Sequence, residues 1–128
     1  MGVSDRIIDY IEANVQLNAI VQKGVLNERE SAVSVRPTPS SMVSRYVKGK
    51  TFEYAFQVTV KDRDVGVAEQ VINDITDVLD GLGNEAITID RYKLIRCEVS
   101  TFPNFVEKTN HGEYVYTAIF VAELEGGY

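Results

Sequence analysis

The 128 residues contain one cysteine, one histidine and no tryptophan. The single thiol, Cys97, rules out an intrachain disulfide and suits a reducing compartment. With His111 alone, a His-rich metal site cannot form within one chain. No apolar run approaches the roughly 20 residues that cross a bilayer, so no membrane partner is expected. Met1-Gly2-Val3-Ser4-Asp5-Arg6 has no basic stretch leading into an apolar one, so no secretion signal is expected, and Arg6 breaks the myristoylation pattern. No glycine-rich phosphate loop follows a strand-like run. Gly81-Leu82-Gly83 follows a helical pattern and reads as a helix stop. Residues 64–90 lack basic side chains altogether.

What is present fits one domain over residues 1–128. At 45% hydrophobic and 25% charged the chain is ordinary for a globular protein, and at this length it buries a core without metal or disulfide. The net charge of −6 argues against a nucleic-acid binder, whose affinity comes from neutralising phosphates. That charge is unevenly spread. Residues 36–63 carry a net +4 and residues 64–90 a net −7. Opposite blocks of this kind either pair or are solvated within one molecule, or form patches through which copies attract head to tail.

The elements read in the order α-β-β-α-β-β. Ser4 is a candidate N-cap for a helix over about 5–15, where Ile7, Ile8, Ile11 and Val15 recur at helical spacing. The stretch 15–26 reads as an extension of that helix or an irregular second turn, with Gly24 as a stop. Ala32–Arg36 is a short strand, and Pro37-Thr38-Pro39 opens a loop expected to run to Gly49. Over 51–60, Phe52, Tyr54, Phe56, Val58 and Val60 alternate with Glu53, Ala55, Gln57 and Thr59, the period of a strand with one face in the core. Asp64 caps the next helix, whose apolar stripe runs from Val67 to Leu82 and whose opposite side carries Asp74, Asp77 and Asp80. Strands at 92–100 and 113–124 follow. Residues 105–108 prolong their pairing into a long hairpin arm with a turn at Asn110-His111-Gly112. The last strand is apolar on both faces, as suits a strand inside a sheet or under a partner. The fold class is therefore α+β: a mixed or antiparallel sheet of about four strands, with two helices on one face.

No catalytic constellation emerges, and no cofactor is called for. Cys97 alternates with Ile95 and Val99 as a buried structural thiol. Asp74, Asp77 and Asp80 lie three apart on a helix. They form a solvated stripe, or one that meets a neighbour's basic loop, and lack the loop geometry of calcium ligands. Arg36, Arg45, Lys48, Lys50, Lys61 and Arg63, with Tyr46 among them, match the pattern of single-strand nucleic-acid binders only weakly on an acidic chain, so a protein partner or plain solubility suits them better.

Taken together, "DRIIDYIEANV", "AVSVRPTPS", "RYVKGKTFEYAFQVTVKDRD", "AEQVINDITDVLDGL" and "YKLIRCEVSTFPNFVEKTNHGEYVYTAIFVAEL" resemble the tail terminator or minor capsid (head–tail joining) proteins of long-tailed bacteriophages and prophages. The resemblance covers nearly the whole chain. It implies a non-enzymatic virion protein, assembled in the host cytoplasm, that forms a hexameric ring capping the tail tube at the neck. Its partners would be copies of itself, the tail tube protein and head–tail connector proteins, with DNA passing through unbound. Interface roles are then expected in the 37–50 loop (Arg45, Tyr46, Lys48, Lys50), on the acidic helix (Asp74, Asp77) and in the 101–112 arm (Phe102, Phe105, His111). The alternatives are another head-completion or tail-assembly protein, and a small-molecule-binding α+β domain.

Overall fold

The computed structural model describes the backbone of residues 3–23, 31–38, 41–46, 49–83, 88–89 and 92–126, and the side chains of 5–23, 31–38, 53–82 and 94–124. Helix α1 (Val3–Asn14) leads through an irregular turn into β1 (Val21–Lys23), then β2 (Ala32–Pro37), β3 (Ser41–Tyr46) and β4 (Gly49–Asp62). Helix α2 (Val65–Leu79) follows, then the short strands β5 (Leu82–Gly83) and β6 (Thr88–Ile89) and the long strands β7 (Tyr92–Lys108) and β8 (Tyr114–Gly126). One sheet runs β1-β2-β4-β8-β7-β5, with β3 on β4 and β6 on β7. β1 pairs parallel to β2 and every other pairing is antiparallel, so the sheet is mixed.

The alternating pattern of β4 does what its period predicts. Phe56, Val58 and Val60 are fully buried, while Glu53 is exposed and Ala55, Gln57 and Thr59 are partly so. Register sets Phe56 opposite Phe120 of β8, and their rings stack with centroids 5.5 Å apart. Ala118, Phe120, Ala122 and Leu124 continue that face, with Val33 and Val35 of β2 beside it. Over it lies α2, which buries Ala68, Val71, Ile72, Ile75 and Leu79. Ile7 and Ile11 of α1 complete the cluster. Each large apolar side chain moved out of water here contributes on the order of 1.5–3 kcal/mol before entropy is charged against it. β8 lies between β4 and β7, which is why its sequence is apolar on both faces.

Asp64 caps α2 as its position suggests: its Oδ1 accepts from Gly66 N at 2.8 Å and Val67 N at 3.3 Å. The helix ends where Gly81 takes φ +80°, a conformation that costs a residue with a Cβ. Two bonds then tie that end to β7. Gly81 N donates to Cys97 O at 2.8 Å, and Val99 N donates to Asp80 Oδ1 at 2.9 Å.

The four expected strands are present, and four more join them. The largest departure is the expected 37–50 loop. Residues 41–46 are β3, which folds back on the start of β4 with Arg45 opposite Lys50 and Tyr46 opposite Gly49. Pro37 is the last residue of β2, still opposite Phe56, and pairing on β4 resumes at Ser41. Residues 21–23 form a parallel strand where an extension of the first helix or an irregular turn was expected. Helix α1 begins at Val3, so Ser4 lies inside it and is not its cap. Leu82 belongs to β5, opposite Cys97, and not to the stripe of α2. Gly24 lies outside the described residues.

Candidate assembly surface

β8 stays paired to β4 along its whole described length, from Gly126 opposite Lys50 to Tyr114 opposite Asp62. The hairpin therefore does not stand free of the sheet. What it presents is the outer edge of β7 beyond Ser100. There the pairing with β8 slips between Val99 and Thr101, between Thr101 and Asn104, and between Phe105 and Glu107. Pro103 sits among these bulges, at the kind of edge position a residue without an N–H can occupy. The slips leave large apolar side chains in solvent: Phe102 is 69% exposed, Phe105 52% and Val106 49%. Phe105 lies edge-on to Tyr116 at 5.6 Å and tilted to Tyr114 at 6.3 Å, and Lys108 Nζ sits 5.1 Å above the Tyr114 ring.

The turn that closes the hairpin is tightly determined. Thr109 N donates to Glu113 O at 2.7 Å, and Gly112 takes φ +83°. Thr109 Oγ1 donates to Glu113 Oε1 at 2.6 Å. The other carboxylate oxygen of Glu113 faces Lys61 Nζ at 3.8 Å, with both side chains nearly out of solvent. His111 is exposed in this turn, and the left-handed position is filled by Gly112.

Beside the hairpin turn, Asp62 gathers three parts of the chain. Its carboxylate accepts from Asn18 Nδ2 at 2.9 Å, Ser31 Oγ at 2.7 Å and Asp64 N at 2.8 Å. Burial by itself would raise this carboxyl, but the hydrogen bonds from Asn18, Asp64, Ser31 and the Arg63 backbone outweigh it and hold it below its ordinary value.

A groove of about 590 Å³ runs along the first ten residues of α2, between that helix and residues 16–18. Leu17, Val67 and Val71 supply its apolar part, with Gln16, Asn18, Gln70, Asp64 and Asp74 as the polar part. Gln70 Nε2 donates to Asp74 Oδ1 at 2.8 Å.

The residues expected at an interface thus fall in three places. Phe102, Phe105 and His111 share the β7 edge and its turn. Asp74 lines the groove on α2, whereas Asp77 is exposed on the same helix and does not line it. Arg45 and Tyr46 lie on β3 and Lys50 on β4, at the far end of the sheet, and Lys48 lies outside the described residues. Val106 belongs with the two phenylalanines, and its apolar character was the available signal. The Lys61–Glu113 pair and the Asp62 cluster join distant segments and have no local signal.

Among the described residues no group of His, Cys, Asp or Glu is arranged to hold a metal, and no helix is long and apolar enough to cross a membrane.

Residues 5–125 match the family model described as bacteriophage tail terminator protein. Among solved structures, a chain from the virion of a native gene transfer agent particle is similar to this one at a TM-score of 0.71 and 16% identity. The match covers 97% of this chain and 95% of that one. At that identity the likeness is one of fold. No curated protein sequence matches the chain.

Proposed function

Because the chain belongs to the bacteriophage tail terminator protein family, we propose that this phage structural protein closes the end of the tail tube and joins it to the head, as a hexameric ring at the neck. The match over residues 5–125 carries the reading. The geometry supports it by supplying contact surface. A row of Phe102, Phe105 and Val106 on a sheet edge is an exposed apolar patch of the kind that marks a protein contact. In this reading the β7 edge meets another neck or tail tube component, and the two ends of the sheet meet neighbouring copies.

Two measurements test it. Light scattering and negative-stain images of the purified chain should show a closed ring. Quantitative mass spectrometry of purified particles should find the chain retained at a few copies per virion. If the chain is absent from finished particles, it is an assembly factor and not a terminator.

A further inference from the structure

The groove on α2 has both walls tied to one carboxylate. Asp62 Oδ2 accepts from Asn18 Nδ2 at 2.9 Å on one wall, and Asp62 Oδ1 accepts from Asp64 N at 2.8 Å where the other wall begins. A groove held this way is formed before anything enters it, so little ordering is left for a partner to impose. Along α2, Val67, Gln70, Val71 and Asp74 recur at helical spacing and make one stripe of the lining. Asp64 and Asp74 mark the ends of the lined stretch, about 15 Å apart along the helix axis. Between them in sequence are the apolar Val67 and Val71, and the other wall adds Leu17.

Each of these two carboxylates is held through one oxygen. Asp64 Oδ1 accepts from Gly66 N and Val67 N, and Asp74 Oδ1 accepts from Gln70 Nε2. Neither forms an ion pair among the described residues, and none of the described residues that line the groove is basic. Arg63, next to Asp64 in the chain, is not part of the lining. The groove is thus apolar along its middle and anionic at both ends, with an unengaged carboxylate oxygen at each.

We propose that this groove binds an extended segment of another virion protein with the pattern cation-x-apolar-x-cation. In an extended chain the side chains at i, i+2 and i+4 share a face, and four steps cover about 13 Å. A Lys or Arg at each end reaches Asp64 or Asp74 with its methylene stem along the apolar lining, and the middle side chain meets Leu17, Val67 and Val71. The occupant is not a second copy. In the 128 residues no two Lys or Arg side chains stand four apart, so no extended segment of this chain carries the pattern. The proposal rests on the terminator reading only for the source of the segment.

The probe is a capped, fluorescein-labelled peptide, Gly-Ser-Lys-Thr-Leu-Thr-Lys-Ser-Gly, titrated with the full chain and followed by anisotropy in physiological salt. Binding should saturate below about 1 mM chain. Replacing both peptide lysines by glutamine should abolish it, and Asp74→Asn should weaken it about fivefold, the worth of one partly exposed ion pair. Asp77→Asn removes a charge about one turn along α2, outside the groove, and should leave binding unchanged. Asp64 also caps the helix, so the variants avoid it, and melting temperatures confirm folding. No binding, or equal binding by the parent and Asp74→Asn, overturns the proposal. If the peptide fails to bind and Asp74→Asn loosens self-association in sedimentation velocity, a second copy fills the groove and the proposal falls. The peptide result is independent of particle composition. Binding by a chain absent from purified virions upholds the groove and sinks the terminator reading, whereas no binding by a chain retained there sinks the groove alone.

Discussion

Replacing Lys61 by Met should cost this fold about 3 kcal/mol. Lys61 and Glu113 keep only 8% and 4% of their side-chain surface, and their charged atoms are 3.8 Å apart. Removing one member of a buried pair leaves the other as an uncompensated charge, at a cost of about 3–5 kcal/mol. The 3.8 Å separation is longer than a good charged hydrogen bond, and Glu113 keeps the Thr109 hydroxyl at 2.6 Å, so the lower end applies. An unfolding entropy of about 2.1 cal/mol/K per residue over this length makes 1 kcal/mol worth about 4 °C, so the melting temperature should fall by about 11 °C. The double variant Lys61→Met, Glu113→Leu should recover most of that loss, because two apolar groups replace the pair and no charge is stranded. Calorimetry and urea titration at pH 7 measure both effects. A single variant within about 1 kcal/mol of the parent, or a double variant worse than either single, would refute the claim that the pair is desolvated.

Asp62→Asn should flatten the acid limb of stability. A carboxyl held below its ordinary 3.8 in the folded state stabilises above that value, and the stability is lost as pH falls through the folded value. Urea midpoints at pH 7, 4 and 3 should therefore fall less steeply for the variant. Asp64→Ala removes the α2 cap and should cost about 1 kcal/mol, read as a drop of about 4 °C with an unchanged denaturant slope. Cys97 is pushed up to about 12, first by burial and then by the charges of Asp80 and Glu98, so a thiol reagent at pH 8 should react with it only after urea unfolding. Phe102→Ser changes an exposed side chain and should shift stability by no more than about 0.5 kcal/mol, yet reduce incorporation into particles, scored by quantitative mass spectrometry.

The elements legible in the sequence are those whose signal is local. The period of two from Phe52 to Val60 gives β4, and the stripe from Ala68 to Leu79 with Asp64 before it gives α2. β1 is three residues long and gains its bonds from a parallel neighbour, so nothing in Val21-Gln22-Lys23 announces it. β3 had a signal that the prolines obscured. Met42-Val43-Ser44-Arg45-Tyr46 is β-competent, and Gly49 follows as a turn residue, so a hairpin onto the start of β4 was available to the same reading. For the candidate surfaces, residue type marked Phe102, Phe105 and the basic and acidic segments as partner-facing. Only register showed that Arg45 and Lys50 lie at the opposite end of β4 from Asp62 and the start of α2, and only the groove separated Asp74 from Asp77.

The shape of the β7 edge bears on how a partner could use it. A regular open edge offers alternating N–H and C=O groups and recruits another strand, in any copy number, which is the route to aggregation. Here Pro103 removes a donor, and three slips in register break the repeat within ten residues of chain. A continuous added strand has nothing regular to pair with. The same slips are what leave Phe102, Phe105 and Val106 out of the core and in solvent. The edge is thus poor in backbone contacts and rich in side-chain contacts. Its partner is then selected by pockets for particular rings, since side chains carry shape and backbone hydrogen bonds do not. For a protein proposed to end a growing structure this matters physically. A surface that accepts one shaped partner terminates, whereas a strand edge that accepts any strand would propagate.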